Sequence, residues 1–243
     1  MSDSLGIHLD GVTLDLPVFG GATRSMRAEL VQRFLPNRKS RFVEDSVSVL
    51  RDITLSLGTG DRIGLQGHNG AGKSSLLRLL AGIYWPTHGI ARVDGSVRCL
   101  FGLNPGIQEE GTGYENIKIL SRLLGYPKSE LAAIEADVAE FCDLGSALDR
   151  PVRTYSDGMR LRLCFGVITA RPADILLIDE VIGVGDREFK EKAIERMKAL
   201  IFRSGILVLA SHDAEILTSF CTESIRMERG SIVERTSLTT DDQ

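Results

Sequence analysis

The sequence predicts an α/β fold in which a parallel sheet carries a glycine loop and is interrupted by a helical insertion. Three observations predict it. An apolar strand, "RIGLQ" from Arg62, runs into the glycine-rich "GHNGAGKSS" and then into "SSLLRLLAGI", which has helical spacing. Further on stand two short, wholly apolar segments, "DILLI" and "GILVLAS", of the kind buried on both faces of a parallel sheet. Between them "DREFKEKAIERMKALIF" reads as a crossover helix.

Taken in order, the opening "MSDSLGIHLDGVTLDLP" has neither a basic nor an apolar leader region, and no uninterrupted apolar run is long enough to span a bilayer. The expectation is a soluble, non-secreted protein. "RSMRAELVQRFLPNRKSR", Arg24 to Arg41, carries six basic residues and one acidic residue. Met26, Leu30 and Phe34 share one helical face, which Pro36 ends. This basic amphipathic insertion, about 20–42, reads either as a surface helix packed on its own domain or as a basic face held near a membrane.

"LRDITLSLGTGDRIGLQ" alternates like two strands around Gly58–Asp61. Three helices are expected in "ENIKILSRLLG", "KSELAAIEADVAEFCDLG" and "DGMRLRLCFGVITA", which make up a helical subdomain of about 103–165. "ESIRMERGSIVERT" reads as a closing hairpin around Arg229-Gly230, and 237–243 as a polar tail after a single domain, 1–236. With 43% hydrophobic residues the chain can bury an ample core. Its four cysteines contain no C-x-x-C or metal-ligand spacing and are expected to be reduced, mostly buried thiols. A net charge of −4 argues against a dominant nucleic-acid footprint.

"GHNGAGKSS" fits G-x-x-x-x-G-K-[ST], the phosphate loop of nucleoside triphosphatases. Gly67, His68, Asn69, Gly70, Ala71 and Gly72 let successive backbone N–H groups curl around phosphates. Lys73 would reach the β- and γ-phosphates, the Ser74 hydroxyl would ligate Mg²⁺, and Ser75 continues the cradle into the helix. A glycine turn capping a helix would explain the glycines but not the Lys-Ser pair. "ILLIDE" ends a buried strand in Asp179 and Glu180, at the edge where α/β sheets bind ligands. Asp179 is the candidate Mg²⁺-side carboxylate, and Glu180 the candidate that orients or deprotonates water. The next strand ends in Ser211-His212-Asp213. There His212 either sits idle beside an Asp213 N-cap or reaches the γ-phosphate.

These parts in this order resemble the nucleotide-binding subunit of an ABC transporter, over roughly residues 5–235. The resemblance implies a phosphate-loop ATPase with a mixed sheet, a helical subdomain and a small antiparallel β part, using ATP and Mg²⁺. It implies that Lys73, Glu180 and His212 are catalytic, and that two copies sandwich two ATP molecules head to tail. In that family L-S-G-G-Q commonly stands before the acidic strand. Here the segment reads Tyr155-Ser156-Asp157-Gly158-Met159, so Ser156 and Gly158 stand where the partner copy's nucleotide would be touched. Val184–Asp186 is similar to the turn that meets the second copy. The family's Gln between the phosphate loop and the insertion falls near Leu103, leaving Asn104 or Gln108 as substitutes. For the aromatic that stacks on adenine, Phe19 is the candidate, although core packing would explain it equally well.

"Y-S-x-G-M-R-x-R-L", "G-T-G-Y-E-N-I", "D-E-x-x-G-V-G-D-x-x-F" and "L-A-S-H-D" are similar to the subunits that energise export of O-antigens, capsules and teichoic acids. Since the chain stops at Gln243, it resembles the short form without a carbohydrate-binding domain. The implied place is the cytoplasmic face of the inner membrane, bound peripherally to a permease that alone handles the glycan. Another cargo, a low-turnover regulatory module and a soluble ABC ATPase remain the alternatives. One cassette without sustained heptads argues against the last, a class that acts on ribosomes or DNA.

Overall fold

A computed structural model describes residues 5–17, 46–101, 106–179 and 187–238. Two sheets and three helical groups make up this part of the chain. A three-stranded antiparallel sheet, ordered β2-β1-β4, comprises β1 (Gly6–Pro17), β2 (Ser46–Gly58) and β4 (His88–Asp94). The larger sheet is ordered β5-β6-β7-β3-β8-β9, from β3 (Arg62–Gln66), β5 (Val97–Leu100), β6 (Ile175–Asp179), β7 (Ile206–Ala210), β8 (Glu223–Glu228) and β9 (Ser231–Ser237). Its first five strands are parallel, and β9 returns antiparallel to β8.

The parallel core is where the apolar segments place it. All five residues of β7, and Ile175–Ile178 of β6, are buried, because these inner strands are covered on both faces. One face packs with the antiparallel sheet and α1 (Lys73–Leu80), and the other carries α5 (Arg187–Arg203) and α6 (Ala214–Phe220). The three helices expected in the insertion form as α2 (Gly113–Leu123), α3 (Leu131–Cys142) and α4 (Asp157–Ile168), around a separate apolar cluster that includes Ile117, Val138 and Leu163. Phe141, Phe165 and Phe189 join α3, α4 and α5, with ring centroids 5.2 to 6.5 Å apart.

Two features differ from the pattern reading. The strands flanking Gly58–Asp61 do form, but β2 and β3 lie in different sheets, so the turn passes the chain between layers. Strands β4 and β5 carry no clear period in sequence: β4 is largely exposed, and β5 has only four residues. The basic insertion, 20–42, lies outside the described residues. Cys142, Cys164 and Cys221 are buried and Cys99 is half-buried. Burial pushes the first three thiols up to about 11, 11 and 12 respectively, which matches inert packing residues.

The entrances of β5 and β6 are pinned together by Asp174. Its Oδ2 accepts from the Ser96 amide at 2.8 Å and from Ser96 Oγ at 2.7 Å. The backbone bond first and the hydroxyl second hold this carboxyl below its ordinary value of 3.8. A lowered folded-state pKa stabilises the fold above the unfolded value and is lost as pH falls through the folded one. Asp174→Ala should therefore cost about 1 kcal/mol at neutral pH, exposure keeping the figure at the low end. In urea titrations the gap between wild type and variant should close below pH 3.8.

Candidate nucleotide-binding site

The carboxyl ends of β6, β7 and β3 lie side by side, and each delivers part of one cleft. From β3 the chain enters the glycine loop and α1, β6 ends in Asp179, and β7 leads into Ser211 and His212. The cleft has a volume of about 520 Å³. Asn69 through Ser75, Asp179 and His212 all line it, so most of the phosphate-loop residues named from sequence come together with that carboxylate and that histidine, while Gly67 and His68 do not line it.

The loop is built to leave donors open. Helix α1 begins after Gly72 with no side-chain cap and no acidic residue in its first turn. Elsewhere in the chain Thr112, Ser156 and Asp213 each cap the helix they precede. A helix start leaves amide N–H groups without intrahelical partners, and the helix dipole adds partial positive charge, so an anion is the natural occupant. Two glycines are required by close approach. A Cβ on Gly67 would lie 2.4 Å from Met227 O, and Gly72, at φ +109°, would bring one 3.1 Å from Val49 O.

Lys73 is buried, and its Nζ donates to the carbonyls of Gly67 at 2.5 Å and His68 at 3.4 Å. An ammonium bonded to its own loop carbonyls can swing to phosphate oxygens without crossing apolar surface. The donor set fits a nucleoside triphosphate. It fits Mg²⁺ as well, since that ion keeps waters and needs only one or two protein oxygens besides phosphate. Ser74 and Asp179 line the cleft and would supply those oxygens.

Of the two readings of Ser211-His212-Asp213, the N-cap is present and the histidine lies at the cleft. Asp213 Oδ1 accepts from the amides of Glu215 and Ile216 and caps α6, which leaves His212 exposed at the cleft. Glu180, Phe19, Asn104 and Val184–Asp186 lie outside the described residues. Gln108 is exposed and does not line the cleft. Its backbone N–H and C=O are instead held by the fully buried Asn116 side chain at 2.8 and 2.9 Å.

Ser156 and Gly158 sit elsewhere, at the start of α4. Ser156 is the exposed N-cap and accepts from the Met159 amide at 3.3 Å. Asp157 opens the helix without a left-handed backbone, where its charge favours the dipole. Tyr155 is buried and donates to Ala147 O at 2.7 Å, anchoring the segment to the helical layer. The loop ahead of α2 is tied to the same segment. Arg160 pairs with Glu109 at 2.8 Å, Arg153 pairs with Glu110 at 3.1 Å, and the Val152 amide donates to Gly111 O at 2.9 Å.

The pattern reading missed one wall, formed by the start of β2 at Val47–Val49, by Arg51, and by the hairpin turn Arg229-Gly230. The turn was legible only as a turn. That it braces the loop depends on contacts distant in sequence: Gly230 N–H donates to Ala71 O at 2.9 Å, and Arg51 N–H donates to Gly230 O at 2.8 Å.

A phosphate-accepting helix start, an acidic strand end, a histidine one strand over and a helical insertion define an ATP-binding cassette. Residues 50–183 match the ABC transporter family, and the chain belongs to that family. It is 43% identical over 225 residues to the O-antigen export system ATP-binding protein RfbE of Yersinia enterocolitica, covering 92% of this chain and 94% of that one. The teichoic acids export ATP-binding protein TagH of Listeria monocytogenes is 34% identical over 76% of this chain and 55% of its own. In fold, the chain is similar to the ATP-binding cassette MJ0796, solved as a dimer in a post-hydrolysis state bound to ADP and Pi. The TM-score is 0.68 at 16% identity, over 96% of this chain and 99% of that one.

Gly72→Ala should force a side chain into a left-handed backbone against Val49 O. We expect a loss of about 1–3 kcal/mol in denaturant unfolding, together with loss of ATP binding in calorimetry.

Proposed function

We propose that this chain is the ATP-hydrolysing subunit of an ABC exporter that moves a lipid-linked polysaccharide of the O-antigen, capsule or teichoic-acid type across the cytoplasmic membrane. One observation carries the reading: the uncapped, acid-free start of α1, with Lys73 beneath it, opens into the same cleft as Asp179 and His212. The export role is supported by the identity to RfbE along nearly the whole of both chains. Among the described residues no helix is long and apolar enough to cross a membrane; in this reading permease partners provide the path.

In this reading the amides of 70–75 and Lys73 hold the β- and γ-phosphates, and Ser74 with Asp179 positions Mg²⁺. Bound Mg²⁺ supplies charge neutralisation on the phosphates. Glu180 orients the attacking water and His212 faces the γ-phosphate. Rate then comes from positioning and preorganised charge rather than covalent chemistry.

A second copy completes each site through Ser156 and Gly158. A Cβ on Gly158 would meet only Ser156 Oγ, at 3.9 Å, and position 158 lacks a positive φ. The chain's own packing thus gives no reason for a glycine there, which fits close approach by something outside the chain. The ties from Glu109, Glu110 and Gly111 to the α4 entrance offer a route by which a permease touching that loop would move the Ser156 end.

Glu180→Gln should retain Mg-ATP binding, accumulate an ATP-dependent dimer in light scattering, and lose about a hundredfold or more in turnover. Expressed in cells, it should leave lipid-linked glycan on the cytoplasmic side. Unchanged hydrolysis would remove Glu180 from the chemistry, and normal surface glycan would remove the cargo.

A further inference from the structure

The proposed chemistry uses the cleft floor and the wall from β6 and β7, but not the wall formed by β2 and the β8–β9 turn. Strand β3 has β7 on one side and β8 on the other, so these walls flank the glycine loop from opposite sides. A triphosphate seated on α1 with its γ-phosphate toward Asp179 and His212 must send its ribose and base the other way, toward Val47–Val49 and Arg229.

Three properties single out Arg229, and the two-residue turn explains its backbone but not the choice of an arginine. It is exposed on the cleft. Its φ is +49°, a conformation that glycine or asparagine would adopt with less strain. Finally, its guanidinium has no ion pair among the described residues, whereas Arg226 and Arg235 on the same hairpin are both paired, with Glu228 and Glu234 and with Glu223. The turn itself is fixed against the loop through Gly230 and Ala71, so a side chain at 229 is held at constant height over the cleft.

We propose that Arg229 binds the base of the nucleotide, its guanidinium packing on the purine face. A guanidinium is planar and weakly hydrated and stacks flat on aromatic faces, whereas an ammonium offers a point charge only. The assignment rests on the cleft being an ATP site, and adds to it a basic contact from the C-terminal hairpin.

Calorimetry of Mg-ATP and Mg-tripolyphosphate binding to the full chain tests it, with Arg229→Asn, which suits the left-handed backbone, and Arg229→Lys, which keeps the charge. Arg229→Asn should bind ATP about 3- to 30-fold more weakly, as loss of a cation–π contact implies, and Arg229→Lys should weaken it by a smaller factor through loss of planar stacking, while tripolyphosphate binding and melting temperature without ligand stay as in wild type. Wild-type ATP affinity in both variants would overturn the role of Arg229, and wild-type affinity in Arg229→Lys alone would overturn stacking. Equal weakening toward tripolyphosphate would make Arg229 a phosphate ligand and overturn the base assignment. A wild-type chain that bound neither ligand would overturn the nucleotide reading beneath it.

Discussion

The structure turns on a helix start that is left uncapped. The first turn of α1 has no side-chain cap and no acidic residue, and the buried Lys73 ammonium rests on the carbonyls of its own loop. Such an arrangement gathers the positive end of a helix dipole and an ammonium in one place, which is unfavourable without an anion to balance them. It becomes favourable once phosphate oxygens arrive. Most of the surrounding architecture can be understood as holding that start open and rigid.

Rigidity comes from backbone-to-backbone approach. Gly67 lies against Met227 O too near for any side chain, and Gly72 combines a tight approach to Val49 O with a left-handed backbone. The β8–β9 turn is stitched to both the loop and β2 by amide hydrogen bonds. The parallel strands β3, β7 and β6 set the spacing at which Asp179 and His212 face the loop. The helical layer has its own apolar cluster and the Asn116 network, and Phe141 and Phe165 fasten it to Phe189 of α5 on the sheet.

Much of this was legible in the sequence. The apolar runs at Ile175 and Ile206 mark buried strands because a strand covered on both faces has no polar side to show. The spacing from Gly67 to Ser74 marks the loop because its mechanics demand those residues locally. What stayed hidden depends on long-range pairing. Strands β4 and β5 are too exposed or too short to show a period. The role of Arg229 and of Val47–Val49 exists only once β2 and the hairpin, some 180 residues apart, are brought together, as in the Ser231 Oγ to Arg51 O bond. His212 was ambiguous for a different reason. The Asp beside it could have been its partner, and only the bonds from Asp213 to Glu215 and Ile216 show that it caps α6 instead.

Backbone hydrogen exchange, resolved to single amides by NMR, tests the account at its centre. With Mg-ATP the amides of Gly70–Ser75 should exchange markedly more slowly, and adenosine should leave them unchanged, because the phosphates and not the base occupy the helix start. Unchanged exchange at those amides under saturating Mg-ATP, or equal slowing by adenosine, would contradict it.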